Sequence, residues 1–117
     1  MKNKIFGLLL LPAALGGCAV IDQHQKVAGW PELKVIEHYV AAPEMRERCR
    51  PYAPPFSVPL GCTLFYLDQS EAHIYLSKDF PAQWILEHER LHAAGYDHVG
   101  STSMQQMLEN WKRQAGR

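Results

Sequence analysis

The chain has 117 residues, with 12 basic and 12 acidic side chains and a hydrophobic fraction of 47%. That length fits one domain, and the neutral charge, without a basic stripe or a run of Lys and Arg, excludes nucleic acid as a partner class. Much of the apolar content lies in the first twenty residues, so the folding domain is less hydrophobic than the whole chain.

The N-terminus has the pattern of an export signal. Lys2 and Lys4 precede an apolar run at positions 5–11, and Leu-Gly-Gly-Cys follows at 15–18. A basic start, a short apolar segment and small residues before a cut site are typical of a secretory signal. The apolar run is too short to span a bilayer as a permanent helix.

The segment at 15–18 resembles a bacterial lipobox. The resemblance implies that residues 1–17 are a signal peptide that is removed, and that Cys18 then carries the lipid. In bacterial lipoproteins, the lack of Asp directly after the lipid-bearing Cys usually directs the protein to the outer membrane. Ala19 at this position therefore implies an outer-membrane location, facing the periplasm. The alternatives are an ordinary signal peptide, or a buried N-terminal helix that contains a Cys by chance. We therefore expect a membrane partner through the lipid anchor.

Residues 18–32 have mixed polarity and no sustained period, so we interpret them as a tether before a small domain at 33–117. Positions 33–40 combine β-branched and aromatic residues with partial alternation, which predicts a strand. Positions 62–67 and 72–76 predict two more strands, and the four residues between them have a common hairpin length.

Two cysteines flank a Pro-rich loop between the first two predicted strands. With Cys18 lipidated, Cys49 and Cys62 remain as an even pair in an oxidising compartment, which predicts a disulfide. The alternative, that these thiols bind metal, is weaker because they lack the close spacing of a C-x-x-C site.

The hydrophobic period then changes to that of helices. A first helix is predicted from Pro81 to Ala94, since nothing interrupts it before Gly95, which suits a left-handed C-terminal position. A second helix is predicted from Thr102, which begins a capping-box pattern. Apolar residues at i, i+3, i+4 and i+7 form one stripe along this helix, which indicates core packing. The residues of the stripe are Met104, Met107, Leu108 and Trp111. The predicted fold class is α+β, a short antiparallel sheet packed against the first of these helices and the C-terminal helix.

The first helix carries the pattern H-E-x-x-H-x-x-G-x-x-H at 88–98. Residues four apart on a helix differ by about 40° in direction and about 6 Å in height, so His88 and His92 can bind one ion. Glu89 can reach a water at that ion without being a ligand. His98 would point away on a continued helix, so it joins the site only if the chain turns at Gly95. Three imidazoles leave the open fourth position of catalytic zinc. The first helix is therefore predicted to be a metal-binding helix, and 33–117 a small zinc-binding domain.

This pattern resembles the zinc-binding signature of the metzincin clan of metallopeptidases. The resemblance implies that His88, His92 and His98 are zinc ligands and that Glu89 is the general base. It also implies that the strand at 72–76 pairs with an extended substrate.

The sequence departs from the clan at the methionine turn, and it leaves alternatives for the third metal ligand. Met104 and Met107 come too early to be matched to the clan's methionine turn. Asp97 or Glu109 could replace His98 as the third ligand, and a His-rich helix end without metal is a further alternative. The other histidines have no partner spacing and are expected to be surface or internally satisfied groups: His24, His38 and His73.

The expected function is zinc-dependent hydrolysis of a peptide or protein substrate in the cell envelope. Zinc would activate water while Glu89 transfers its proton to the leaving amine. Two alternatives remain: a non-catalytic zinc-binding lipoprotein that acts in envelope assembly or binding, and a zinc hydrolase that acts on another amide, such as one in cell-wall peptide.

Overall fold

The computed structural model describes residues 23–53, 55–80 and 82–116. In chain order it contains five strands and three helices within these ranges: β1 (His24–Lys26), β2 (Lys34–Val40), α1 (Ala42–Cys49), β3 (Gly61–Tyr66), β4 (Glu71–Ser77), α2 (Gln83–Ala93), β5 (Tyr96–His98) and α3 (Ser103–Gln114). The predicted signal peptide and Cys18 lie outside the described residues. In the part of the chain that the structure describes, no helix is long and apolar enough to cross a membrane.

The larger sheet has the strand order β2-β4-β3. β3 and β4 form the predicted antiparallel hairpin, whereas β2 runs parallel to β4 along its whole length. The predicted α+β class is confirmed, but the sheet is mixed and not wholly antiparallel, because α1 and the Pro-rich loop carry the chain back across the sheet between β2 and β3.

The position of β4 corrects one expectation about substrate binding. The strand at 72–76 was expected to pair with an extended substrate, but β4 is the central strand and both its edges are hydrogen-bonded to neighbours. Its backbone therefore has no free edge for a peptide.

The folded domain begins earlier than the predicted boundary at residue 33. β1 pairs antiparallel with β5 in a separate two-stranded sheet, and Val27 and Trp30 are buried in the main core. The interpretation of 18–32 as a tether was wrong for this part of the segment. A three-residue strand and two isolated core residues are too few to produce a hydrophobic period.

The core is divided between the two faces of the larger sheet. The main core lies between one face and the helices α2 and α3, and it contains Phe65, Ile74, Ile85, Met104 and Leu108. The α3 stripe packs as predicted, with Met107 and Trp111 partly buried at its margin. The other face is covered by α1, where Met45, Leu64 and Tyr75 surround the predicted disulfide. That disulfide, Cys49–Cys62, is confirmed.

The start of α3 is held by a residue outside the predicted capping box. Thr102 is the N-cap residue, but its side chain makes no capping hydrogen bond. Instead, the backbone N–H of Met104 donates to Oδ2 of Asp97 at 3.1 Å. A carboxylate is favourable at this position because the N-terminus of a helix carries unpaired N–H groups and partial positive charge.

The disulfide is expected to be a large contributor to the stability of so small a domain. It closes a loop with a sequence separation of 13, so joint replacement by Cys49→Ala and Cys62→Ala should lower the free energy of unfolding by about 3 kcal/mol. Urea unfolding measures this loss. As a control, a reducing agent should destabilise the wild type and leave the stability of the double variant unchanged. Equal free energies of unfolding of the two proteins without a reducing agent would contradict the prediction.

Candidate metal centre

Helix α2 places two imidazoles one above the other. The Nε2 atoms of His88 and His92 are 3.2 Å apart, and both side chains are almost wholly buried. The four-residue spacing puts them on one side of the helix, while Ile85, Leu86 and Ala93 anchor α2 in the main core.

The ring of His92 is held by the backbone beyond the helix. Its Nδ1 lies 2.8 Å from the carbonyl oxygen of Tyr96. Because a carbonyl oxygen only accepts hydrogen bonds, Nδ1 carries the proton and donates it, which leaves the lone pair of a neutral ring on Nε2. A metal-binding histidine is commonly oriented in this way by a partner on its other nitrogen.

Gly95 ends α2 and turns the chain back toward the helix. Its φ is +100°, in the region that favours glycine, and its N–H donates to the His92 carbonyl at 2.9 Å. A Cβ atom at this position would lie 2.7 Å from the Trp30 ring. Both the backbone conformation and the close packing therefore require glycine.

The turn brings His98 to the helical pair, as the spacing of the pattern predicted. Its ring centroid lies 4.8 Å from that of His92 and 5.2 Å from that of His88. The His98 Nε2 atom is buried and has no hydrogen-bond partner among the described residues. A buried nitrogen without a partner is costly, and a bound cation would remove that cost.

His24 is a fourth member of the cluster that sequence reasoning missed. It pairs in register with His98 across the β1–β5 ribbon, and its ring centroid lies 5.1 Å from those of both His88 and His98. One nitrogen from each of the four histidines falls in a group in which all are within 4.8 Å of one another, so the group could hold a metal ion. No sequence spacing signals this contact, because 64 positions separate His24 from His88, the nearer of the two helical histidines in the sequence.

Burial disfavours the protonated form of His88, His92 and His98. Burial, together with the nearby His98 and His24, lowers the pKa of His88 to about 3. The pKa of His92 is well below its usual value, chiefly from burial and then from His88 and His98, and burial likewise lowers that of His98. Neutral imidazoles have the lone pairs that metal binding requires.

Glu89 is fully buried on α2, the same helix as His88 and His92, but it is not a member of the four-histidine group. Its Oε1 accepts a hydrogen bond from the Thr63 hydroxyl on β3 at 2.6 Å, and its Oε2 has no hydrogen-bond partner among the described residues. Burial raises the pKa of Glu89 to about 8, although the Thr63 hydrogen bond opposes that shift. The carboxyl group is thus held on one oxygen and unengaged on the other.

The alternative third ligands are engaged elsewhere. Both oxygens of Asp97 accept backbone hydrogen bonds, from His98 at 2.7 Å and from Met104 at 3.1 Å. Glu109 lies on the exposed side of α3, where it accepts from Gln105. Asp97 therefore positions the residue next to it and the start of α3, and neither carboxylate belongs to the cluster.

The remaining histidines lie on another surface. His38 Nε2 is 2.8 Å from His73 Nδ1, and His73 Nε2 is 2.9 Å from a carboxylate oxygen of Glu71. These strand residues satisfy one another, as expected for histidines without metal-site spacing. Met104 and Met107 pack against the main core.

Comparison with known proteins identifies no relative of this chain: no family model, no curated protein and no solved structure matches it. The interpretation of the site therefore depends on its own residues and geometry.

Replacing Gly95 should lower the stability of the domain more than replacing Gly100, a glycine that also has a positive φ but has open space around it. Gly95→Ala should lower the free energy of unfolding by ~3 kcal/mol, from left-handed strain and a clash with Trp30. Gly100 has a φ of +91° and no atom within 4 Å of an added Cβ, so Gly100→Ala should cost only ~1 kcal/mol. Thermal or urea unfolding measures both, and equal losses would show that packing on Trp30 is unimportant.

Proposed function

We propose that this protein is a zinc-dependent peptide hydrolase, in which His88, His92 and His98 hold the ion and Glu89 is the general base. The observation that carries the proposal is the convergence of three imidazoles. The His88 and His92 Nε2 atoms are 3.2 Å apart, and the ring of His98, whose Nε2 has no hydrogen-bond partner among the described residues, lies against both. The resemblance of residues 88–98 to the metzincin signature supports the same assignment.

The donor set suits zinc. Zn–N bonds of 2.0–2.1 Å in tetrahedral geometry place two donor atoms about 3.3 Å apart, close to the observed 3.2 Å between His88 and His92. Neutral imidazoles favour zinc and neighbouring transition metals, whereas calcium and magnesium prefer oxygen ligands. When bound, zinc would supply Lewis-acid activation of water and of the scissile carbonyl.

We assign Glu89 the role of a base that is not a ligand. It follows His88 directly and so lies about 100° round the helix from it, and its Oε2 is unengaged among the described residues. In hydrolysis it would take one proton from the attacking water as the O–C bond forms. It would then give that proton to the amine nitrogen as the C–N bond breaks, so the carboxylate is restored.

Thr63 positions this base. Its hydroxyl donates to Oε1 of Glu89 at 2.6 Å, which favours the ionised form and partly opposes the burial that raises the pKa of Glu89 to about 8. The charge of a bound zinc would favour the carboxylate further. The pair also joins the helix to β3, so the carboxylate is held by the sheet.

We further propose that the protein acts in the bacterial envelope, lipid-anchored through Cys18 to the outer membrane and facing the periplasm. The support is the lipobox-like segment at 15–18 and the disulfide Cys49–Cys62, because disulfides persist mainly in oxidising compartments.

A second candidate function, a non-catalytic zinc-binding lipoprotein, is favoured by two observations. His24 joins the other three histidines, and zinc sites with four protein ligands are usually structural. Glu89 is also wholly shielded from solvent, whereas a base needs access to water and substrate.

The variant Glu89→Gln separates the two candidates. It keeps the acceptor for Thr63 but loses the basic group, so it should fold, retain one zinc per chain and lose roughly 10²–10⁴-fold in hydrolysis of a mixed peptide library. Glu87 is exposed on the same helix, so Glu87→Gln serves as the control and should hydrolyse peptides at the wild-type rate.

Two results would contradict the assignment of Glu89 as the base. A wild-type protein that holds zinc but cleaves no peptide in the library, or a Glu89→Gln variant with undiminished hydrolysis, would exclude Glu89 as the base of a peptidase. The first of these results would favour the non-catalytic candidate.

A further inference from the structure

The N-terminal segment of the described chain is attached to the domain in two unequal parts. Val27 and Trp30 are buried in the main core, and the Trp30 indole N–H donates to the Ala93 carbonyl at 3.3 Å. Ahead of them, Gln25 and Lys26 are exposed. Only His24 of this leading part extends into the candidate metal centre.

We propose that β1 is a built-in competitor of substrate: His24 occupies the fourth coordination position, and an extended peptide replaces residues 23–26 beside β5 when hydrolysis occurs. This inference rests on the proposed function, because it assigns regulation and a substrate-binding edge to the same zinc site.

The register of the ribbon explains why His24 takes that position. β1 and β5 are antiparallel, and His24 lies directly opposite His98. Directly opposed residues of an antiparallel pair project their side chains to the same face. Since His98 faces the helical pair, His24 must face it as well, and its ring lies 5.6 Å from that of His92. Gln25 projects to the other face and remains in solvent.

The attachment of residues 23–26 is weak enough to be reversible. A two-stranded ribbon is marginally stable in water, and β1 contributes three residues to it. Release of these residues leaves the core unchanged, because the anchoring contacts of Val27 and Trp30 lie beyond the strand. The hydrogen bond from the Val27 N–H to the Gly95 carbonyl, 2.8 Å long, marks the point where release would stop.

The edge of β5 that β1 covers is suited to an extended peptide. A peptide can add a strand to an exposed sheet edge through backbone hydrogen bonds that do not depend on its side chains. β4 cannot offer such an edge because β2 and β3 flank it. The backbone of a peptide bound along β5 would run beside His98. One polar group of that peptide would then take the position that the His24 side chain has left. The substrate class is therefore an extended segment, and not a helical one.

The coordination role of His24 can be measured without hydrolysis. Co²⁺ replaces zinc as the probe, and azide is titrated while the visible absorption of the cobalt is followed. His24→Ala should bind azide at a concentration roughly tenfold or more below that needed by the wild type, because no internal ligand competes for the fourth position. Gln25→Ala, a neighbouring change on β1 that leaves the imidazole in place, should titrate like the wild type. Equal azide affinities of wild type and His24→Ala would overturn the proposal.

The competition with substrate is tested on the zinc-loaded full chain. His24→Ala should hydrolyse unstructured peptides roughly tenfold or more faster than the wild type and Gln25→Ala at low peptide concentration, and adding Glu89→Gln should abolish that gain. If azide affinity rises but no variant hydrolyses peptides, the proposed function fails and the competitor role fails with it, while His24 stands as a ligand. If the wild type, Gln25→Ala and His24→Ala hydrolyse peptides at equal rates while Glu89→Gln still lowers hydrolysis, the proposed function stands and the competitor role is overturned.

Discussion

The reversal of the chain at Gly95 is the constraint on which the candidate metal centre depends. A left-handed residue with no side chain lets the backbone pass against the Trp30 ring and return as β5. That single turn carries His98 back to His88 and His92, presents the Tyr96 carbonyl to the His92 ring, and provides the edge along which β1 places His24. A continued helix would keep His88 and His92 together but carry His98 away from them and leave no edge for β1.

A second constraint is the exclusion of water around the histidines. Desolvation disfavours protonation of His88, His92 and His98, and one nitrogen of each of the four rings lies within 4.8 Å of the others. Such an arrangement is stabilised when a cation satisfies several of these nitrogens at once. The surrounding structure supports this geometry through Asp97, whose two oxygens hold the backbone of His98 and the first turn of α3.

The features that could be predicted from the sequence are those set by residues within one segment or by simple residue counts. The α2 helix, its end at Gly95 and the approach of His98 follow from the spacing within 88–98, and the Cys49–Cys62 disulfide follows from an even cysteine pair. The parallel placement of β2, the cap by Asp97 and the participation of His24 could not be predicted in the same way. Each depends on a contact made by one or a few residues across the fold, which produces no period and no motif in a single sequence.

Zinc X-ray absorption on the wild-type chain tests the central claim, that these imidazoles bind one metal ion, most directly. The account predicts one zinc per chain with four nitrogen donors at about 2.0–2.1 Å and the scattering signature of imidazole rings. A spectrum that requires sulfur at about 2.3 Å, or a folded chain that binds no zinc at all, would contradict it.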